Sequence, residues 1–252
     1  NSYQLTSIAG LTSIETEGGF GIIYSTGFTE LGGLSGLTTV GGNFDLYQNP
    51  SLSDLHRQTS LESVAGYMDI EANDNLVSLA GMSGLSFIGE RLTIANNSSL
   101  TSLAGFPNLT RLQGRLSIVG NDALASVDGI AAPSNMGGIA IEYNEALTNL
   151  DGLNVFACMQ GDLSIERNPI LSDLDGLGNI KTIAGSLLIR YNGNITSLGL
   201  NALTEVGLGI QIEDQELTTL DGLESLVRVG VLHIARLGTL TSIDGLGNLQ
   251  SI

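Results

Sequence analysis

The chain has 252 residues, 26 of them acidic against 9 basic, for a net charge of −17. That balance argues against nucleic acid, whose phosphates need Lys and Arg, and against an anionic membrane surface. Cys158 is the single cysteine, so no internal disulfide can form, and no apolar run reaches the ~20 residues of a membrane span, so this segment is not expected to insert into a bilayer.

Glycine is heavy at 34 and proline is only 4. In chain order, a short apolar-x-apolar unit recurs, beginning at Phe20, Phe44, Met68, Leu92, Leu116, Ile139, Leu163, Leu187, Ile210 and Leu232. Successive starts differ by 24, 24, 24, 24, 23, 24, 24, 23 and 22 residues. Eight residues after most starts comes a second apolar position, as at Phe28, Leu52, Leu76 and Leu100. Three further on comes another, as at Leu31, Leu55, Leu79 and Leu103. A third pair closes most units, from Leu37/Val40 and Leu61/Val64 to Leu226/Val229 and Leu249/Ile252.

A unit of about 24 residues with three short apolar segments cannot bury its own face. Stacked copies bury each other. The segments are three to five residues long, glycine interrupts them, and the first one alternates as in "LSI" at Leu116–Ile118. These features favour strands over helices. The expected fold is all-β: a right-handed parallel β-solenoid of about ten coils, one domain over residues 1–252. At ~4.8 Å per coil the rod would be ~48 Å long.

Asn49, Asn73, Asn97, Asn121, Asn144, Asn168 and Asn192 lie five residues after the unit starts. Asp214 stands one residue early and Leu237 ends the series. Buried amides in register need partners, so the column is expected to be a structural ladder rather than a ligand site. Of the three sequons, at Asn97, Asn108 and Asn194, the inward Asn97 should be unusable. Asn108, in "FPNLT", should be accessible, and Asn194 is also a candidate glycosylation site. Glycines two residues before the first strand (Gly42, Gly66, Gly161) and after the second (Gly81, Gly105, Gly129) suit tight corners.

With these columns in place, the pattern "GxLxIxxNxxLxSLxGLxxLxxI" resembles the receptor L-domain family over about residues 5 to 252. That family includes the leucine-rich β-helical domains of insulin-type and epidermal-growth-factor-type receptors, fungal cell-wall proteins and long microbial surface proteins. The resemblance implies an extracellular or cell-surface location and a protein or carbohydrate ligand. The chain lacks the receptor branch's cysteine-rich neighbour and disulfides, which favours the microbial surface branch. No initiating Met or signal-like segment is present, and no polar capping unit follows Ile252. The expectation is a portion of a longer chain or assembly, or self-association through the solenoid ends.

Candidate chemistry is sparse. His56 and His233 lie in the second and tenth units and make neither a triad nor a zinc site. Cys158, beside the Met159 column, reads as a packed thiol. On the outward face of the first strands, Asp45 and Asp69 stack on adjacent coils, suiting a glycosidase acid pair, a calcium site or a solvated acidic face. The same strip carries Tyr47, Tyr67, Arg91 and Arg115, and these six residues are the candidate ligand-contact surface, since Tyr and Arg are common anchors. Asp128, Asp151, Asp175, Asp221 and Asp244 each precede a Gly, and their carboxylates are expected to cap turn amides. Thr29, Thr101, Thr148, Thr196, Thr218 and Thr241 form a column that could order water, although Val77 and Ala125 break it. The expected function is non-catalytic adhesion, recognition or surface structure, with no metal and no cofactor. A carbohydrate-active enzyme is the alternative and ice binding the third reading.

Overall fold

The computed structural model describes residues 5–8, 16–56, 60–131, 133, 136–193, 195–213 and 216–252. It is an all-β solenoid. Among the described residues ten parallel strands form one continuous sheet: Phe20–Ile23, Phe44–Tyr47, Met68–Glu71, Leu92–Ala95, Arg115–Val119, Gly138–Glu142, Leu163–Glu166, Ser186–Arg190, Gly209–Glu213 and Leu232–Ala235. The register matches the repeat: Phe20 pairs with Phe44, Met68 with Leu92, Leu92 with Leu116, and Ile210 with Leu232. Leu92, Leu116 and Leu163 are fully buried, as are Ile94, Ile118 and Ile165. Each such side chain contributes about 1.5–3 kcal/mol relative to leaving it in water.

The second segment is not a strand, contrary to its reading from sequence. Leu52 and Leu55 are both buried, as are Leu100 and Leu103. A strand would put residues three apart on opposite faces. The chain instead turns after the ladder asparagine, with the Leu52 amide donating to the Asn49 carbonyl at 3.0 Å and Leu100 to Asn97 at 3.0 Å. What remains is single bridges, such as Glu30 with Asp54 and Ser78 with Ser102. In four coils a 3-10 turn follows, at Gly32–Leu34, Asp151–Leu153, Asp175–Leu177 and Asp244–Leu246. Such turns bring residues i and i+3 to the same side, which buries Leu153 and Leu177 below Leu150 and Leu174.

The third segment ends in two-residue strands forming two sheets. One joins Thr39–Val40, Ser63–Val64, Phe87–Ile88 and Arg111–Leu112; the other joins Cys158–Met159, Thr182–Ile183, Glu205–Val206 and Arg228–Val229. The fifth coil separates them. There Ile130 and Met136 fill the core, and Pro133 has no amide hydrogen to give a ladder. In the sixth coil Phe156 and Met159 take the third pair's place.

The asparagine column is a ladder. All seven members are fully buried. Each Nδ2 donates to a carbonyl of the preceding coil, from Asn49 to Ile22 at 2.8 Å through Asn192 to Ile165 at 2.8 Å. Each Oδ1 accepts the backbone amide of its predecessor, as Asn97 Oδ1 does from the Asn73 amide and Asn121 Oδ1 from the Asn97 amide, both at 3.1 Å. The buried Ser25 begins the series by donating its amide to Asn49 Oδ1 at 3.2 Å. Asp214 lies outside the described residues.

A corner that sequence reading missed sits just before each ladder residue. Tyr24, Gln48, Ala72, Asn96, Tyr143, Arg167, Tyr191 and Arg236 all have positive φ, between 53 and 59°, and Gly120 fills the same place at 66°. This left-handed step re-aims the chain so that the next side chain enters the core. From Tyr24 to Tyr191 the corner amides are tied to the next coil: Tyr24 to the Tyr47 carbonyl at 2.9 Å, Ala72 to Ala95 at 2.9 Å and Arg167 to Arg190 at 3.0 Å. L-residues other than Asn and Gly are strained there. Ala72→Gly is therefore expected to stabilise the chain by about 0.5–1 kcal/mol in a urea titration; a loss of stability would show that the corner carries no such strain.

The glycines before the long strands serve close approach. A Cβ on Gly161 would run into the Gly137 carbonyl of the coil below. Gly129, after the second segment, has φ of 106° and needs glycine for its conformation.

Candidate functional site

The outward face of the long sheet collects side chains at the coil spacing, about 4.8 Å. Four of the six expected contact residues form one cluster. Asp45 and Asp69 are register partners. Arg91 binds Asp69 Oδ2 at 2.6 Å, and its guanidinium lies over the Tyr67 ring at 4.0 Å from the centroid. The Tyr67 hydroxyl lies close enough to Asp45 to favour its charged form. Asp69 Oδ1 is buried without a hydrogen-bond partner among the described residues. Burial and then the Asp69 charge push the Asp45 carboxyl above its ordinary value of 3.8, against the opposing pull of Tyr67 and Arg91.

The other two candidates point elsewhere. Tyr47 meets Tyr24 edge-on with ring centroids 5.4 Å apart, and the neighbouring Tyr24 raises its phenol pKa. Arg115 reaches Glu142 in the next coil at 3.6 Å.

The raised Asp45 pKa fixes a sign. The folded value lies above the ordinary one, so the charged form opposes folding once the pH exceeds the folded value. The penalty disappears below the ordinary value. Asp45→Asn is expected to raise the urea midpoint at neutral pH, with the gain fading on acidification below about pH 4. A gain that persists in acid would assign the effect to packing rather than to charge.

Farther along, the same face carries groups that the sequence reading left out. Glu166 takes Arg190 through two bonds, at 2.8 and 3.1 Å, and the Ser164 hydroxyl at 2.6 Å. Burial pushes Glu166 up, but the Arg190 and Ser164 hydrogen bonds, together with the Arg190 and Arg167 charges, outweigh it and hold the carboxyl below its ordinary range. Glu213 faces His233 at 3.0 Å and Arg236 at 3.8 Å. Arg167 sits between Tyr143 at 5.4 Å and Tyr191 at 4.5 Å. Tyr143, Arg167 and Tyr191 share one register position, immediately before the ladder asparagine, and that spacing is the signal they leave in the sequence.

Three further readings change. Cys158 is exposed rather than packed, because Met159, next to it in a two-residue strand, is the inward residue. The aspartates before glycine do not cap turns with their carboxylates among the described residues. The cap comes from two residues earlier: Ser126 Oγ accepts the Asp128 amide at 3.1 Å, Asn149 Oδ1 that of Asp151 at 3.2 Å and Ser242 Oγ that of Asp244 at 3.0 Å. The threonine hydroxyls do not form a free array. Thr101, Thr148 and Thr241 donate to the carbonyls of Val77, Ala125 and Thr218 one coil below, at 3.3, 3.2 and 3.0 Å.

Asn97 is buried within the ladder, whereas Asn108 is exposed, its amide donating to the Ser83 carbonyl at 2.8 Å. Asn194 lies outside the described residues. Among the described residues no three His, Cys, Asp or Glu side chains group to hold a metal, and no helix is long and apolar enough to cross a membrane. No family model, curated protein or solved structure matches the chain.

Proposed function

We propose that this chain is a non-catalytic recognition or adhesion module of an extracellular or cell-surface protein, binding a protein or carbohydrate ligand through its long-sheet face. The observation that carries the reading is the coil-to-coil pairing of Tyr67, Asp69 and Arg91, at 2.6 Å and 4.0 Å. It holds an aromatic ring and a guanidinium in fixed places on a continuous sheet. Groups held in this way lose little side-chain entropy on binding. The resemblance to the microbial branch of the receptor L-domain family supports the same reading and the surface location, and makes the exposed Asn108 the proposed glycan acceptor.

The alternative is a carbohydrate-active enzyme using Asp45 and Asp69. Asp69 is already paired with Arg91 at 2.6 Å, so it would have to change partners to act. The test is direct. Immobilised protein is offered polysaccharides and extracellular proteins, with retention and reducing-end release measured together. Retention without new reducing ends, weakened in Arg91→Ala, is the expected result. Release that disappears in Asp69→Asn would establish the enzyme instead.

A further inference from the structure

Beside the sheet, the corner column of the first three coils encloses an open groove of about 280 Å³ lined by Tyr24, Thr26, Gln48, Pro50, Ala72 and Asp74. We propose that this groove is a saccharide subsite, seating one neutral sugar ring against Tyr24 with its hydroxyls on Gln48 and Asp74. The proposal rests on the recognition reading above and names its ligand class.

The walls are built rather than incidental. Tyr24, Gln48 and Ala72 hold left-handed backbone at φ of 57, 53 and 56°. Their amides are fixed to the next coil by bonds of 2.9, 3.0 and 2.9 Å. The Tyr24 ring is braced edge-on by Tyr47. The same corner recurs along the rod as the step into the ladder, so what it supplies here is a fixed backbone that sets Tyr24 and Gln48 one coil apart. Ala72 occupies the same corner position one coil on from Gln48, and its short side chain leaves that end of the groove clear.

The lining selects the ligand. An aromatic ring offers a flat apolar surface with a polar hydroxyl. Around it stand the Gln48 amide, whose Nε2 also donates to the Tyr47 hydroxyl at 3.2 Å, the Asp74 carboxylate, which only accepts and takes the Ser98 hydroxyl on Oδ1 at 3.5 Å, and the Thr26 hydroxyl. That combination suits a compact ring with one apolar face and several hydroxyls. An anion is disfavoured by Asp74 and by the net charge of −17. The volume suits a single small ring and falls below the range of larger ligand sites.

The test uses the whole chain against an array of neutral homo-oligosaccharides of glucose, mannose, galactose and N-acetylglucosamine, followed by calorimetry on the best binder. Tyr24→Ala, Tyr24→Phe, Gln48→Ala and Asp74→Asn are compared with Arg91→Ala on the sheet. Alanine already stands at the equivalent corner in Ala72, so the first and third variants should fold, which thermal melts followed by circular dichroism verify. The expected result is binding that falls about tenfold or more in Tyr24→Ala and Asp74→Asn, persists in Tyr24→Phe and falls by a smaller factor in Arg91→Ala, which removes the sheet contact alone. Binding that survives the groove variants but falls in Arg91→Ala overturns the subsite and leaves the recognition reading standing. Capture of a protein ligand with no oligosaccharide bound overturns the saccharide assignment alone. No binding to any oligosaccharide or protein overturns both.

Discussion

Asn121→Ala is expected to destabilise the middle of the solenoid by about 4 kcal/mol, near the upper end for a single side chain. The figure follows from what the change orphans. Asn121 Nδ2 now donates to the Ile94 carbonyl at 2.9 Å, and its Oδ1 accepts the Asn97 amide at 3.1 Å. With alanine, the Asn97 amide stays buried without its acceptor, the Asn97 Nδ2 loses its bond to Asn121 Oδ1 at 3.3 Å and the Ile94 carbonyl loses a donor, at about 1–3 kcal/mol for each orphaned group, and a small cavity adds to the loss. The solenoid is quasi-one-dimensional, so a global two-state midpoint would blur a local effect. Hydrogen exchange is the better probe. The Asn97 amide should exchange about a thousandfold faster, while amides in the first and last coils change little. A change below about tenfold, or one spread evenly along the rod, would mean that the ladder is not what holds the coils in register.

Asn121→Asp separates acceptor from donor. The carboxylate can still take the Asn97 amide but faces the Ile94 carbonyl with no hydrogen to give. Burial among acceptors raises the folded pKa of such a group above its unfolded value. The destabilisation is therefore full above the raised value and fades as pH falls through it toward the unfolded value. There the protonated acid donates to Ile94. Partial recovery of Asn97 protection in acid is the expected signature, and equal loss at every pH would refute the donor role.

Much of this fold is legible in the sequence because it repeats. Leu92 and Ile94 share the buried face of a sheet with Thr93 on the other, and an asparagine follows at the distance of Asn97 in seven coils. Those columns predict the sheet, the ladder and the direction of the axis. The second segment is misread for a local reason. The spacing of Leu100 and Leu103 is three, which no strand can bury on one side, so the chain turns instead. Cys158 is misread because its burial depends on whether it or Met159 faces inward, and the third-face pairs of the fifth and sixth coils break the aliphatic pattern that would have decided it. Caps are misassigned between neighbours: the Asp128 carboxylate was expected to cap a turn amide, and instead the Ser126 hydroxyl accepts the amide of Asp128 itself. The candidate contact strip is recovered in part. Tyr67, Asp69 and Arg91 meet because register alone brings outward side chains together. Tyr47 turns toward Tyr24, and the groove beside it depends on a left-handed corner. Tyr24, Gln48, Ala72 and Arg167 share that corner without sharing any chemistry that would mark it in a single sequence.

Register also predicts what the chain can lose. Excising residues 92–115 removes one whole coil of 24 residues and joins Arg91 to Leu116. Met68 then meets Leu116 where it met Leu92, and Asn73 meets Asn121 where it met Asn97, so every column closes. Arg91 keeps Asp69, and the lost partner of Glu142 was a surface ion pair worth at most about 1 kcal/mol. Excising only residues 92–103 removes fewer residues and does far more harm. The twelve remaining residues of that coil cannot circle a core that a full coil of twenty-four circles. Their long-sheet strand and ladder asparagine are gone, and the coils beyond lose the template they stack on. The full-coil deletion is expected to stay folded and monomeric, with circular dichroism per residue unchanged and a melting temperature within about 5 °C of the parent. The half-coil deletion should expose the core and aggregate or lose its cooperative melt. Equal tolerance of both would contradict a rod of interchangeable rungs, because only a fold whose stability is a sum over neighbouring coils distinguishes a whole repeat from half of one.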